Sequence, residues 1–119
     1  MADDNSQQED PEVQEEEPKN ILKLEQIHEG LSSIQRSFDG TTYAFVNLTL
    51  EEKEIQELGQ LLRSYQHLRN VNLSKNELKD VAEVVHFPHL LNLNLSTNQI
   101  ANIDFFADLR DTLPYLQVS

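Results

Sequence analysis

Apolar and polar residues alternate with period two in four short stretches of this 119-residue chain, and those stretches recur at nearly constant spacing. Leu68-Arg-Asn-Val71-Asn-Leu73-Ser-Lys-Asn76-Glu-Leu78 is followed 22 positions on by Leu90-Leu-Asn-Leu93-Asn-Leu95-Ser-Thr-Asn98-Gln-Ile100. In each copy the alternating pair (Val71 and Leu73; Leu93 and Leu95) predicts a short strand with one face turned inward. Asn76 and Asn98 close the turn that follows, because a carboxamide both donates to and accepts from nearby backbone. Leu78 and Ile100 then return the chain to the interior. Phe45-x-x-Leu48-x-Leu50-x-x-Lys53-x-Ile55 has the same apolar positions 23 residues before Leu68, and Leu113-x-x-Leu116-x-Val118 starts 23 residues after Leu90. The pattern gives three strand-and-turn units and the first strand of a fourth.

Between the strands the apolar spacing becomes helical. Ile55, Leu58, Leu61, Leu62 and Tyr65 predict a return helix, and Val81 to Phe87 a shorter one ended by Pro88. Ile103, Phe105, Phe106 and Leu109 predict another after Asp104 as N-cap, stopped by Pro114. Ahead of the first unit, Ile21, Leu24, Ile27, Leu31, Ile34 and Phe38 predict a single helix over 20–39, capped by Asn20 and stopped by Gly40. Gly30 inside it costs about 1 kcal/mol relative to Ala and marks the point where that helix is weakest. Residues 20–41 are therefore read as an N-terminal capping helix, 42–119 as the repeats, and 1–19 as a disordered acidic tail. Lys53 stands where the other units have Asn; an ammonium accepts nothing, so one turn bond worth about 0.5–1.5 kcal/mol is expected to be lost.

The phrase L-x-x-L-x-L-x-x-N-x-L resembles the signature of the leucine-rich repeat family. The fold class that follows is α/β: a solenoid with a short parallel sheet on its concave face, helices and turns on its convex face, and a helical N-terminal cap. Residues between the inward-facing ones would then stack in columns on the concave face. One column is Asn47, Asn70, Asn92 and Tyr115, the next Thr49, Asn72, Asn94 and Gln117, the third Glu51, Ser74, Ser96 and Ser119. Amides and hydroxyls with one aromatic suit hydrogen bonding to a polypeptide surface, so the first two columns are the candidate partner-binding residues.

Charge narrows the partner. Nine basic residues against 21 acidic ones, net -12, argue against nucleic acid or an anionic membrane. The absence of Cys removes disulfides, thiolate metal sites and a Cys nucleophile, and an intracellular chain is expected. His86-x-x-His89 has metal-like spacing, but Pro88 between the two opposes the helical geometry that would converge them. The sequons at Asn47, Asn72 and Asn94 are products of the repeat itself. No phosphate loop, nucleophile elbow or H-E-x-x-H occurs, so neither an enzyme nor a cofactor is expected.

A narrower likeness rests on Leu61-Leu-Arg-Ser-Tyr-Gln-His-Leu-Arg69, Gly30-Leu31-Ser32, Tyr43-Ala44 and Leu113-Pro-Tyr-Leu-Gln117. Across roughly 28–118 these blocks resemble a radial-spoke branch of the leucine-rich repeat family, from cilia and sperm flagella, whose members also begin with an acidic tail. The resemblance implies a non-enzymatic axonemal scaffold in the cytoplasm, with radial-spoke head proteins among its partners. Family members have further repeats and a charged C-terminal segment. The alternatives are a regulatory subunit docked on an enzyme such as a phosphatase, or a truncated product lacking full function. The apolar end left by the fourth strand is expected to be covered by a partner or by self-association.

Overall fold

The computed structural model describes residues 19–37, 39–102 and 104–119. The acidic tail through residue 18, Phe38 and Ile103 lie outside the described residues. Among the described residues, five strands form one mixed sheet in the order β1-β2-β3-β4-β5. β1 (Leu31–Arg36) runs antiparallel to β2 (Tyr43–Thr49), and β3 (Asn70–Asn72), β4 (Asn92–Asn94) and β5 (Gln117–Val118) continue parallel to β2. The register sets Leu48 opposite Val71 and Val71 opposite Leu93. The second inward row is Leu50, Leu73 and Leu95, and all of these residues are buried. Strands about 4.8 Å apart thus make continuous apolar rows of leucine and valine.

The segments between the strands depart from the predicted helices. Of the stretch from Ile55 to Tyr65 only Leu61–Ser64 is helical, as a 3-10 turn, and Ala82–His86 is another. An α-helix with its side chains is about 10–12 Å across, twice the strand spacing, so narrower turns keep neighbouring units stacked. Each turn plants one residue in the core, Leu62 and Val84. A forked ion pair joins them, Arg63 Nε and Nη2 donating to the two Glu83 carboxylate oxygens at 2.9 and 3.0 Å. That pairing holds the Glu83 carboxyl below its ordinary pKa. The last unit does form an α-helix, α2 (Asp104–Thr112), which buries Leu109.

The predicted helix over 20–39 is not there. Residues 20–22 are extended and bond to the first unit, with Leu22 N donating to Glu57 O at 2.9 Å and Gln56 N to Asn20 O at 2.8 Å. Asn20 therefore caps nothing; its Nδ2 donates to Glu54 O. The helix α1 spans only Leu24–Gly30, with Gln26 Oε1 accepting from Lys23 N at its start, and buries Ile27. It stops at Gly30 because that residue lies against β2, where a Cβ would fall 2.3 Å from Thr49 O. The chain then turns back as β1. Asp39-Gly40, read from sequence as a helix stop, is a hairpin turn. Gly40 takes φ 78°, and one carboxylate oxygen of Asp39 accepts from Ser37 Oγ, Thr41 N and Thr41 Oγ1.

Phe45 is a second correction. It aligns by sequence with the buried Leu68 and Leu90, yet it is 40 % exposed, and Val46 is buried in its place. As the second arm of a hairpin, β2 is regular over seven residues. Strict alternation therefore sends Val46, Leu48 and Leu50 inward and Phe45 outward with Asn47.

Candidate interaction face

The amides of the repeat divide into two sets with different work. Asn76 and Asn98 face the interior. Asn76 Oδ1 accepts from the backbone N–H groups of Lys53 and Ile55, both at 3.0 Å. Its Nδ2 donates to Leu50 O at 2.8 Å and Leu73 O at 3.0 Å. Asn98 repeats this one unit on, accepting from Leu78 N at 3.0 Å and donating to Leu73 O at 2.9 Å and Leu95 O at 3.0 Å. Each side chain closes its own turn and also binds the backbone of the unit before it. The turn of the first unit is thus bonded by Asn76 from the second, and what Lys53 leaves out is the counterpart, within its own turn, of the donation that Asn76 makes to Leu73 O and Ser74 O.

The second set lies on the opposite face of the sheet. The register pairs Asn47 with Asn70 and Asn70 with Asn92. Their side chains form a one-directional ladder. Asn92 Nδ2 donates to Asn70 Oδ1 at 2.7 Å, Asn70 Nδ2 to Asn47 Oδ1 at 2.8 Å, and Asn47 Nδ2 to Ser33 Oγ at 3.1 Å. Beside it run Thr49, Asn72 and Asn94. Asn72 Oδ1 accepts from Ser74 N and Oγ, and Asn94 Oδ1 from Ser96 N and Oγ. Both turns thus consume the acceptor end of the amide. The Nδ2 groups of Asn72 and Asn94 have no partner among the described residues. The face is consequently richer in unspent N–H donors than in acceptors, and it suits a ligand that offers carbonyl or carboxylate oxygens.

The fourth unit does not keep the predicted columns. Gln117 lies opposite Asn92, not Asn94, and Val118 lies opposite Leu93. Ser119, placed in the third column by sequence, exchanges backbone bonds with Leu93 and Leu95, level with Asn94. Tyr115 falls outside the columns and is 84 % exposed. The offset from Asn92 to Gln117 is 25 residues because α2 takes more chain than the 3-10 turns of earlier units. A slip of two residues preserves which side chains face inward, since the strand period is two. The apolar and polar alternation was thus right while the row assignment was not.

Sequence reading missed the apolar flank of this face. Ile34 pairs with Phe45, Arg36 with Tyr43 and Ser32 with Asn47, so all share the ladder's side of the sheet. Ile34 and Tyr43 are 61 % and 64 % exposed, and the Arg36 guanidinium sits 5.1 Å from the Tyr43 ring centre. The available signal was the Asp-Gly dipeptide between two β-prone runs. His67 and His89, at equivalent positions of consecutive units, stack with ring centres 6.3 Å apart. At the strands' N-terminal ends, Arg69, His89, Leu91, Leu113 and Tyr115 line a shallow cleft.

Comparison with known proteins gives a consistent answer. Residues 66–108 match the model for leucine-rich repeats in two copies. The chain is similar to leucine-rich repeat-containing protein 23 of Bos taurus and of Homo sapiens, 32% identical to each over 98 residues, which is 82% of this chain and 27% of the relative. It is also 35% identical over 74 residues to the human leucine-rich repeat and guanylate kinase domain-containing protein, covering 62% of this chain and 9% of that protein. The chain thus spans about a quarter of the first relatives' length. No solved structure matches it.

Proposed function

This is a leucine-rich repeat chain, and from that premise we propose that it is a non-enzymatic protein-interaction module that binds a polypeptide through the face of Asn47, Thr49, Asn70, Asn72, Asn92, Asn94 and Gln117. We read the stacked units as a short solenoid, this face as its concave side, and α1 with the β1–β2 hairpin as the cover of its first unit. The observation that carries the reading is the pair of unspent Nδ2 groups at Asn72 and Asn94, beside an amide ladder already fixed by its own bonds. Preordered donors bind with little further loss of side-chain entropy. Ligand carbonyl or carboxylate groups would replace water there, and Ile34, Phe45 and Tyr43 would supply apolar contact at the flank. Tyr115, outside the columns, is left out of the binding set.

The biological setting follows the resemblance of Leu61–Arg69 and Leu113–Gln117 to the radial-spoke branch of the family, with the likeness to leucine-rich repeat-containing protein 23 as support. On that reading the chain is an axonemal scaffold of cilia and flagella, supports motility, and holds radial-spoke head proteins.

The test is the tagged chain in ciliated cells, beside a variant carrying Asn72→Arg and Asn94→Arg. Both substitutions leave Asn76 and Asn98 intact but remove the turn bonds to Ser74 and Ser96, so the variant is first checked for folding by circular dichroism. The wild type is expected in the axonemal fraction and the variant in the unbound fraction. A wild type excluded from axonemes contradicts the ciliary setting, and equal retention of both chains contradicts the face.

A further inference from the structure

We propose that the outer edge of β1 pairs antiparallel with β1 of a second copy of this chain, giving a transient two-fold dimer. This surface is separate from the amide face and does not depend on its ligand. β1 has a single neighbour in the sheet, so the backbone groups on its far side meet no strand among the described residues. Ser32 to Arg36 are all exposed. Exposed edges are usually blunted by Pro, by Lys or by inward-pointing charge. The strand Leu-Ser-Ser-Ile-Gln-Arg has no Pro or Lys, and its one charge lies at the end. Ile34, in its middle, is 61 % exposed. Ser33 at φ 63° interrupts the pairing with β2, and Arg36 O already accepts from Arg69 Nη2, so the free edge is centred on Ile34.

A second copy fits this edge better than an unrelated strand for two reasons. An antiparallel edge is complementary to itself about a two-fold axis, which brings the two Ile34 side chains together. The edge also has charge polarity. Glu25 and Glu29 are exposed on α1 immediately before the strand, and Arg36 stands at its other end. The Arg36 guanidinium donates to Gly40 O and Tyr43 Oη, and its charge is unpaired by any acid among the described residues. Antiparallel pairing sets Arg36 of each copy beside the acidic end of the other. The remaining negative charge of the chain is screened beyond about 8–10 Å at physiological salt. A six-residue edge falls well short of the ~1,200 Å² typical of a stable interface, so the dimer is concentration-dependent.

Sedimentation of the full chain from micromolar to millimolar concentration tests the proposal. The mass is expected to rise toward twice the monomer, and Ile34→Lys, checked for folding by circular dichroism, should remain monomeric over the same range. The chain has no Cys, so a single introduced thiol reports contact without ambiguity. Ile34→Cys should form disulfide-linked dimer at least about tenfold faster than the exposed, remote Ala101→Cys, as held-together thiols do. A wild type monomeric throughout, an Ile34→Lys variant that dimerises like the wild type, or equal cross-linking of the two thiols would each overturn it.

Discussion

The hairpin end of the molecule and its repeating centre solve the same problem by different means. In the centre, Val71, Leu73, Leu93 and Leu95 are buried in rows, and every turn is fastened by an asparagine from the same or the next unit. At the hairpin no asparagine of this kind occurs. β1 is held by antiparallel pairing with β2, by a tight approach at Gly30, by one carboxylate in the turn and by Arg69 at the surface, whose guanidinium donates to Gln35 Oε1 and Arg36 O. The centre is stabilised by burial and by buried bonds, whereas the hairpin leaves Ile34, Tyr43 and Phe45 in solvent. Repetition therefore concentrates stability where buried backbone groups of one unit are satisfied by side chains of another, and the hairpin depends on local geometry and on exposed bonds.

That contrast sets the order of expected mutational effects. Leu73→Ala, in the middle of the central row, should destabilise the chain by about 2–5 kcal/mol, whereas Phe45→Ala at the hairpin should cost far less. Denaturant midpoints of the two variants measure the difference, and equal losses would erase the distinction. Asn76→Ala strands the amides of Lys53 and Ile55 and the carbonyl of Leu50. With one to three kcal/mol for each buried group left unpaired, the loss should reach about 3 kcal/mol. Lys53→Asn should raise stability by no more than about 1 kcal/mol, since Leu50 O already accepts from Asn76. Gly30→Ala drives a methyl group against Thr49 O and should cost about 1–3 kcal/mol, read as a lowered Tm with the repeat amides still protected.

The smallest effect concerns pH. Hydrogen bonds from Ser37 and from Thr41 hold the Asp39 carboxyl at about 2, below its ordinary 3.8. A depressed folded-state pKa stabilises above the unfolded value and fades as pH falls through the folded one, so the turn should loosen between about pH 4 and pH 2. Amide shifts of Thr41 and Thr42 should follow that titration in the wild type and be flat in Asp39→Ala.

The same contrast decides what could be read from the sequence. The central units were legible because the identical phrase occurs twice and because Asn at a fixed position has one stereochemical use. The hairpin was misread as a helix since Ile21, Leu24, Ile27, Leu31 and Ile34 do have helical spacing. Gly30, the Ser32-Ser33 pair and Asp39-Gly40 were the contrary signals, and each is weak alone. The return segment from Ile55 to Tyr65 was assigned a helix for the same reason. There the segment packs between two neighbouring units, which no local pattern records, and the narrower 3-10 turn at Leu61–Ser64 fits the strand spacing. On the candidate face the Asn columns were correct from Asn47 to Asn94. Gln117 and Tyr115 were misplaced because the chain length taken up by α2 does not appear in the spacing of leucines.

The central claim is that each unit's interior asparagine fastens the unit before it. Hydrogen–deuterium exchange at Lys53 and Ile55 in the wild type and in Asn76→Ala tests it most directly. Both amides should be protected in the wild type and exchange much faster in the variant, with Leu78, which Asn98 holds, little changed. Wild-type amides at Lys53 and Ile55 that exchange as freely as those of an open loop, or protection there that survives Asn76→Ala undiminished, would contradict it.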